Sequence, residues 1–442
     1  MLFRKIENQI VRHLKSDDDR ILVIDGARQI GKSFIIREVG KRLFKNFIEI
    51  NMEVDKVSSR TFENARTVDD FYLALSIEYG HLMKEKENTL IFIDEIQAYD
   101  HLLTLLKFLR EDNRYTFIAS GSQLGITLKL TSSLPIGSIR ILHMYPMDFE
   151  EFLIANNVGE LVLDTLRKNL EKRVSMPENV HTKIMDLFKK YLLVGGLPYA
   201  VKTFVESKNI TTVRSIQTDI QQLYKADAAR YEQNNTRLKI QRIYDMIPSN
   251  LENKKKRIVA KDIEQKEGKR MNDYEEEFEY LISAGIALEV KAISKPSFPL
   301  IENSGKNLMK LYINDVGLLT NIFFGTQIKS IMEDINSINL GSVYETIVAQ
   351  ELKAHGFNLY YYDNKKNGEV DYLIDDKEHL TVLPIEVKSG KDYTIHSALD
   401  RFLETKEYNI HEAFVFSNAR EVKTENGITY LPIYYVAFIQ AQ

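Results

Sequence analysis

The stretch from Arg20 to Ile36 limits the fold more than any other. Ile21-Leu22-Val23-Ile24 reads as a buried strand. It leads into Gly26-Ala27-Arg28-Gln29-Ile30-Gly31-Lys32-Ser33, and a helical pattern follows. The loop satisfies the phosphate-cradling pattern G-x-x-x-x-G-K-[ST] at every defined position. Glycines at both ends let the backbone turn tightly and aim its N–H groups inward, so loop and helix start can hold a triphosphate. Lys32 is expected to reach the β- and γ-phosphates and to act in catalysis, while the Ser33 hydroxyl ligates Mg²⁺. The nucleotide-contacting set is thus Gly26, Ala27, Arg28, Gln29, Ile30, Gly31, Lys32, Ser33 and Phe34, with ATP and Mg²⁺ as the ligands.

Two further strands complete that site. Thr89-Leu90-Ile91-Phe92-Ile93-Asp94-Glu95 is an apolar run ending in two acids, as an inner strand of a parallel sheet would. Ligands gather beyond the carboxyl ends of such strands. Asp94 is placed to hold the Mg²⁺ shell, and Glu95 to orient or deprotonate the attacking water. The bland alternative is an acidic helix cap after a buried strand. A fourth strand, Tyr115 to Ala119, is read as stopping at Ser120-Gly121-Ser122-Gln123. Ser120 is the first choice for a γ-phosphate sensor, against the alternative of an ordinary turn. The remaining elements of this part are a helix from Met1 to Lys15, a strand at Asn46 to Asn51 and a helix from Val68 to Met83.

A chain of 442 residues with 44% hydrophobic content can bury sizeable cores, and its length suits roughly three domains. No apolar run reaches the ~20 residues a membrane helix needs, and Met1-Leu2-Phe3-Arg4-Lys5 lacks a signal peptide's apolar core. The absence of cysteine removes disulfides, thiolate zinc sites and cysteine nucleophiles, and fits a reducing cytoplasm. A formal charge of −4 gives no global attraction to nucleic acid, so a DNA-binding surface must be a local patch. The nine histidines show no metal-ligand spacing and are assigned to structure.

The phosphate loop with its Arg28-Gln29, the Phe92 to Gln97 stretch, Ser120-Gly121-Ser122, and Tyr145-Pro146-Met147-Asp148-Phe149-Glu150-Glu151-Phe152 carry a resemblance. Together they resemble a family of prokaryotic AAA+ ATPases whose C-terminal part, long a domain of unknown function, is related in fold to restriction endonucleases. The likeness runs over nearly the whole chain. It implies an α/β protein: a P-loop AAA+ parallel sheet with helices over 1–170, a helical and winged-helix-like domain over 171–325, and a C-terminal α/β restriction-endonuclease-like domain over 326–442. AAA+ proteins often draw an arginine finger from a neighbouring copy, and a ring or dimer is expected on that ground. Arg140 is only a guess for the finger, against a solvated surface arginine. Gly195-Gly196-Leu197-Pro198 and Lys310 to Leu319 also match stretches of the family, but no chemistry follows from them. Asp315 reads as a helix cap.

Helix, turn, helix and a short β wing, over Ile258 to Val290, resemble a winged helix-turn-helix that could lay its second helix in the major groove. Lys269, Arg270 and Asn272 suit phosphate contact, while Glu275, Glu276 and Glu277 oppose it. DNA is the expected partner on this reading. A domain that only packs or bridges subunits is the other.

The last hundred or so residues read as a helix from Gly341 to His355, strands at 359–362, 369–374 and 380–388, a helix at 397–404, and strands near 413–416 and 430–435. Glu345 lies on the first helix, Asp371 in the second strand, and Glu386-Val387-Lys388 ends the third. Residues 386 and 388 share a strand face. Carboxylates and an amine held together suit phosphodiester cleavage. Asp371, Glu386 and Glu345 would bind Mg²⁺ or Mn²⁺, and Lys388 would position water or stabilise the pentavalent state. This resembles the PD-(D/E)XK nuclease core. The expectation is an ATPase coupling nucleotide state to DNA binding and cleavage. The alternative is a nucleotide-switched DNA- or protein-binding scaffold with an inactive nuclease fold. A chaperone-like remodeller would need a pore-loop signal, and none is evident.

Overall fold

The computed structural model describes residues 2–122, 137–227, 234–253, 256–303, 308–333, 340–390 and 392–441. Met1 and Gln123, named above, lie outside them. The chain divides into two compact units. One comprises Arg4–Tyr145 with Glu279–Gly285, and the other comprises Met1–Phe3, Pro146–Phe278 and Ile286–Gln442.

The first unit is built on five strands: β1 (Ile21–Asp25), β2 (Asn46–Asn51), β3 (Thr89–Asp94), β4 (Thr116–Gly121) and β5 (Ile139–His143). All neighbours pair in parallel, in the order β2-β3-β4-β1-β5. The central strands β1 and β3 are buried along their whole length, which is why they read as unbroken apolar runs. The edge strand β2 buries alternate residues and therefore reads as alternating. On one face Val23, Ile48, Ile91, Ile93 and Phe117 pack with Phe71, Leu75, Leu102 and Leu106 from the helices Val68–Tyr79 and Asp100–Asp112. Burying each such side chain contributes roughly 1.5–3 kcal/mol. The opposite face is covered through Ile35, Ile36 and Val39 of the helix Lys32–Leu43, all fully buried. The sequence places the end of β4 too early: the strand runs on through Gly121, with Ser120 paired beside Ile24 of β1 and fully buried. A small hydroxyl side chain with a partner tolerates that position, so polarity did not mark the strand's end.

The second unit contains a helical array and a mixed eight-stranded sheet. Its strands are β6 (Ala287–Ile293), β7 (Met309–Ile313), β8 (Tyr360–Asn364), β9 (Gly368–Asp376), β10 (Thr381–Val387), β11 (Ala413–Ser417), β12 (Lys423–Glu425) and β13 (Ile428–Pro432), in the order β12-β13-β11-β10-β9-β8-β6-β7. The expected wing strand is thus β6, antiparallel to β7 and parallel to β8. It is an inner strand of this sheet, and the anticipated boundary at 325/326 falls between segments that share one sheet. The second helix expected within Ile258 to Val290 is a 3-10 turn, Met271–Tyr274, followed by a helix, Glu275–Ser283. The last expected strand ends at Pro432, and Ile433–Phe438 form a 3-10 helix.

Gly195-Gly196 and Asp315 meet in this unit. Gly195 sits at φ 71°, and a Cβ there would lie 2.1 Å from Asp315 Oδ1. Gly196 N–H donates to Asp315 Oδ2 at 2.6 Å, and Leu318 N–H donates to Oδ1 at 3.1 Å. Asp315 is indeed a helix cap, and it also ties the glycine turn to the helix Val316–Phe324. That explains the paired stretches without catalysis.

Candidate functional sites

The phosphate loop lies between β1 and the helix Lys32–Leu43, at the carboxyl end of the first sheet. Gly26 adopts φ 146° and Gly31 φ 92°, conformations that L side chains rarely adopt. Lys32, buried, donates to the carbonyls of Gly26 and Ala27 at 2.8 Å each. Burial pulls its amine below the usual lysine range, while Glu95, Asp25 and Asp94 act in the other direction. Ser33 Oγ donates to Asp94 at 3.0 Å, so the two groups expected at Mg²⁺ adjoin. Asp94 also accepts from Ser120 Oγ and from Asn51 Nδ2, the latter at 3.1 Å. Burial raises the Asp94 carboxyl above its ordinary range, partly offset by the Ser120 hydrogen bond. A hydroxyl beside a carboxylate is a hard oxygen set that fits Mg²⁺.

Glu95 holds φ 52°, an uncommon conformation for a residue with a side chain. Its carboxylate accepts from Ser122 Oγ at 3.1 Å and from Gln97 Nε2. Arg28 Nε reaches the same Ser122 Oγ at 3.4 Å. Ser120 therefore stands on Asp94, and Ser122 is the hydroxyl at Glu95. Gln29 takes φ 66° within the loop. Ile30 is a core residue whose carbonyl accepts from Arg4 at 2.9 Å, and Phe34 is 49% exposed at the helix start. Arg140 is three residues from the carboxyl end of β5 and lies 3.6 Å from Asp18, a surface pair. Sequence reading missed Asn51, Gln97 and Ser122. The last two stand within three residues of Glu95 and Ser120, which was the available signal. Gly285 is a further surprise: at φ 69°, a Cβ on it would lie 3.1 Å from the amide of Ala27.

The C-terminal carboxylates come together within the second unit. The β9–β10 register reaches Tyr372 opposite Ile385, and at the next step Val387 N–H donates to Asp371 Oδ2 at 2.9 Å. Lys388 stays in register, its N–H bonded to Phe416 O, and its Nζ donates to Glu386 Oε1 at 2.8 Å. Glu345, on the helix Gly341–Ala354, is buried and accepts from Tyr312 OH at 3.0 Å and from Lys256 Nζ. Lys310, fully buried, pairs with Glu369 at 2.5 Å. Burial followed by the nearby Asp371 charge raises the carboxyl of Glu345, and that of Glu386 to about 8. For Lys388 burial acts downward, yet the Glu386 carboxylate keeps the amine above its usual range. Glu386 Oε2 is buried with no hydrogen-bond partner among the described residues. The Asp371 and Glu345 charges act on that carboxyl, although the three acids do not bring ligand atoms within 4.8 Å of one another, and the unpartnered buried oxygen is of the hard type that Mg²⁺ or Mn²⁺ would satisfy. The place of Lys256, Lys310 and Tyr312 at this cluster was not legible in the sequence, because they enter from distant strands and turns.

Asp148, Glu351 and His355 are the group of three among the described residues that brings ligand-type atoms within 4.8 Å of one another. Their bonds are structural. Asp148 caps the helix Phe149–Ala155, Glu351 accepts from Phe149 N–H at 2.9 Å, and His355 Nε2 lies 3.2 Å from Asp148. Two acids at a helix start favour its positive end.

Among known proteins, the AAA domain family matches residues 18–153. Two domains of unknown function, DUF8612 and DUF4143, match residues 185–329 and 340–436. An uncharacterized protein of Haemophilus influenzae is 26% identical over 172 residues, which is 37% of this chain and 41% of that relative. The chain thus spans about two fifths of the length of the curated relative it matches. Among solved structures, the Walker-type ATPase of Pyrococcus abyssi is 14% identical, with a TM-score of 0.43, over 72% of this chain and 95% of that one. AMPPCP-bound DnaA from Aquifex aeolicus is 13% identical, with a TM-score of 0.30, over 57% and 72%. Residues 18–153 are an AAA domain, the ATPase-like part of the chain. No helix among the described residues is long and apolar enough to cross a membrane.

Proposed function

We propose that the AAA unit binds and hydrolyses ATP, and that its nucleotide state controls cleavage of DNA at the carboxylate cluster of the second unit. The observation that carries the second half is the convergence of Glu345, Asp371, Glu386 and Lys388, with one buried Glu386 oxygen lacking a partner among the described residues.

In the ATPase half, Lys32 would exchange the carbonyls of Gly26 and Ala27 for the β- and γ-phosphates. Ser33 and Asp94 would hold Mg²⁺, which supplies charge neutralisation at the phosphates. Asn51 and Ser120 keep Asp94 oriented, and Glu95 orients the attacking water. A γ-phosphate sensor role for Ser120 belongs to the same proposal. In the nuclease half, Asp371, Glu386 and Glu345 would hold Mg²⁺ or Mn²⁺, which activates water and neutralises phosphate charge. Lys388, bonded to Glu386, positions that water or stabilises the pentavalent state. The winged-helix-like segment with Lys269 and Arg270 would hold DNA phosphates, and homo-oligomers in the cytoplasm complete the reading.

ATPase turnover with and without DNA, run beside nuclease assays in Mg²⁺ and Mn²⁺, tests both halves. Lys32→Ala should abolish ATPase activity and Glu386→Ala should abolish cutting, both with folding intact. A folded wild-type protein that cuts neither single- nor double-stranded DNA would remove the nuclease half. ATP-dependent changes in association that Glu386→Ala leaves untouched would then favour the scaffold.

A further inference from the structure

Three lysines surround the acid cluster, and they are not equivalent. Lys310 is wholly buried, pairs with Glu369 and lies over the Tyr361 ring, its Nζ 4.6 Å from the centroid, so it has no path to a ligand. Lys388 is bonded to Glu386 on the same strand face. Lys256 is like Lys388 in exposure, 22% against 27% for the side chains, and differs in lying outside that strand and in the carboxylate it holds. Its ammonium pairs with Glu345 Oε1, and its side chain is 22% exposed where that of Glu345 is 4% exposed. The Lys256 side chain therefore reaches solvent where the carboxylate it holds does not.

The backbone around Lys256 is held, and the side chain is held by its ion pair with Glu345. Lys256 itself adopts φ 47°, Arg257 pairs with Asp363 of β8 at 3.2 Å, and Ile258 N–H bonds Met309 O of β7 at 3.4 Å. A residue so anchored, with a four-carbon stem and a single strong partner, can change that partner without moving the fold.

We propose that Lys256 is a substrate-contacting residue of this cluster, paired with Glu345 until a divalent cation takes that carboxylate, and then turned to the phosphodiester of DNA. This rests on the reading of the cluster as a metal-dependent nuclease site. The physical reason is competition for one carboxylate. Both Glu345 oxygens are engaged, Oε1 by Lys256 and Oε2 by Tyr312, whereas Glu386 keeps one oxygen without a partner among the described residues. A cation that takes Glu345 therefore competes with the Lys256 ammonium, where one on Glu386 leaves Lys388 in place. Released, the ammonium would keep the Asp371 charge nearby, and a DNA phosphate would be the incoming anion able to pair with it.

The consequence is a pair of effects with opposite signs. Terbium ion is the probe for the metal, since Tyr312 and Tyr372 bond to Glu345 and stand close enough to sensitise its luminescence. Full-length Lys256→Gln should bind terbium about tenfold tighter than wild type, because a competing cation is gone. With Ca²⁺ present to prevent cutting, the same variant should bind a labelled DNA oligonucleotide about tenfold more weakly, and its log–log salt dependence should flatten by about one. Lys256→Arg should keep wild-type DNA affinity. A merely structural lysine would weaken both ligands or neither, and either outcome overturns the proposal. Asp371→Asn separates the two levels of failure. If it abolishes terbium luminescence while Lys256→Gln leaves both affinities unchanged, the metal site stands and the role of Lys256 falls. If wild type and Asp371→Asn bind terbium alike, the metal reading fails and takes the proposal with it.

Discussion

Replacing Gly26 by alanine should cost the AAA unit most of its affinity for nucleotide. A Cβ at Gly26 would lie 2.3 Å from Met144 O and 2.6 Å from Ile30 Cδ1, and the residue's φ is 146°. Ordinary carbon–oxygen approach is about 3.3 Å, so the loop must withdraw from Met144 by about 1 Å. Met144 cannot retreat easily, because its N–H is bonded to Asp25 O at 2.7 Å. Backbone held in such a sparsely populated region costs a side-chain-bearing residue on the order of 1–3 kcal/mol. The loop can relieve that only by turning its N–H groups away from the phosphates. A loss of about 2 kcal/mol corresponds to about thirtyfold in dissociation constant. The assay is calorimetric titration of a non-hydrolysable ATP analogue with Mg²⁺, with thermal unfolding as the control for fold. Binding within threefold of wild type, with unfolding unchanged, would refute the argument that loop geometry rather than the Lys32 charge sets affinity.

Glu95→Gln should keep nucleotide binding and slow turnover by roughly 10² to 10⁴, read from single-turnover hydrolysis. Gly285→Ala should weaken nucleotide binding several-fold in the same titration, since its φ is 69° and its Cβ would press on the Ala27 amide at 3.1 Å. Asp315 makes a pH prediction. Burial raises its carboxyl to about 6 from 3.8, with the Gly196, Leu318 and Gly317 amides opposing. The folded state therefore binds more protons than the unfolded one between those values, so this residue's contribution falls as pH rises through the window. A difference of that size between folded and unfolded chain corresponds to about 3 kcal/mol. Urea unfolding of wild type and Asp315→Asn should show the wild type losing relative stability by about that much between pH 4 and pH 7, and a constant difference would contradict it.

Legibility followed the physics of burial. The inner strands β1 and β3 were plain because a parallel sheet covered on both faces demands unbroken apolar runs, and the phosphate loop because its chemistry is contiguous in sequence. Ser120 was harder. Its hydroxyl looks like the end of a strand, yet it is fully buried, paired beside Ile24 and bonded to Asp94. The strand β6 was read as a wing because local pattern gives a strand's existence and not its neighbours, and its partners β7 and β8 begin some 20 and 70 residues later. In the carboxylate cluster the face shared by Glu386 and Lys388 followed from strand periodicity. Lys256, Lys310 and Tyr312 could not, since tertiary pairing alone brings them there.

The helix Gly341–Ala354 gives the proposed coupling a physical route inside the second unit. It presents Glu345 to the acid cluster, and five and six residues later it presents Gln350 and Glu351 to another buried network. There Gln350 accepts from Val316 N–H and donates to Tyr191 OH, each at 2.8 Å, while Glu351 accepts from Phe149 N–H. Tyr191 OH donates in turn to Met147 O. The segment at Met147–Phe149 lies just past Tyr145, where the chain leaves the AAA unit. Each of these buried bonds costs about 1–3 kcal/mol if one partner is left unsatisfied. A displacement of that segment would therefore carry the helix along more cheaply than it would break the network, and Glu345 would move with it. The Tyr145-to-Phe152 stretch that sequence reading tied only to resemblance thus holds buried bonds to Tyr191 and to the helix that carries Glu345.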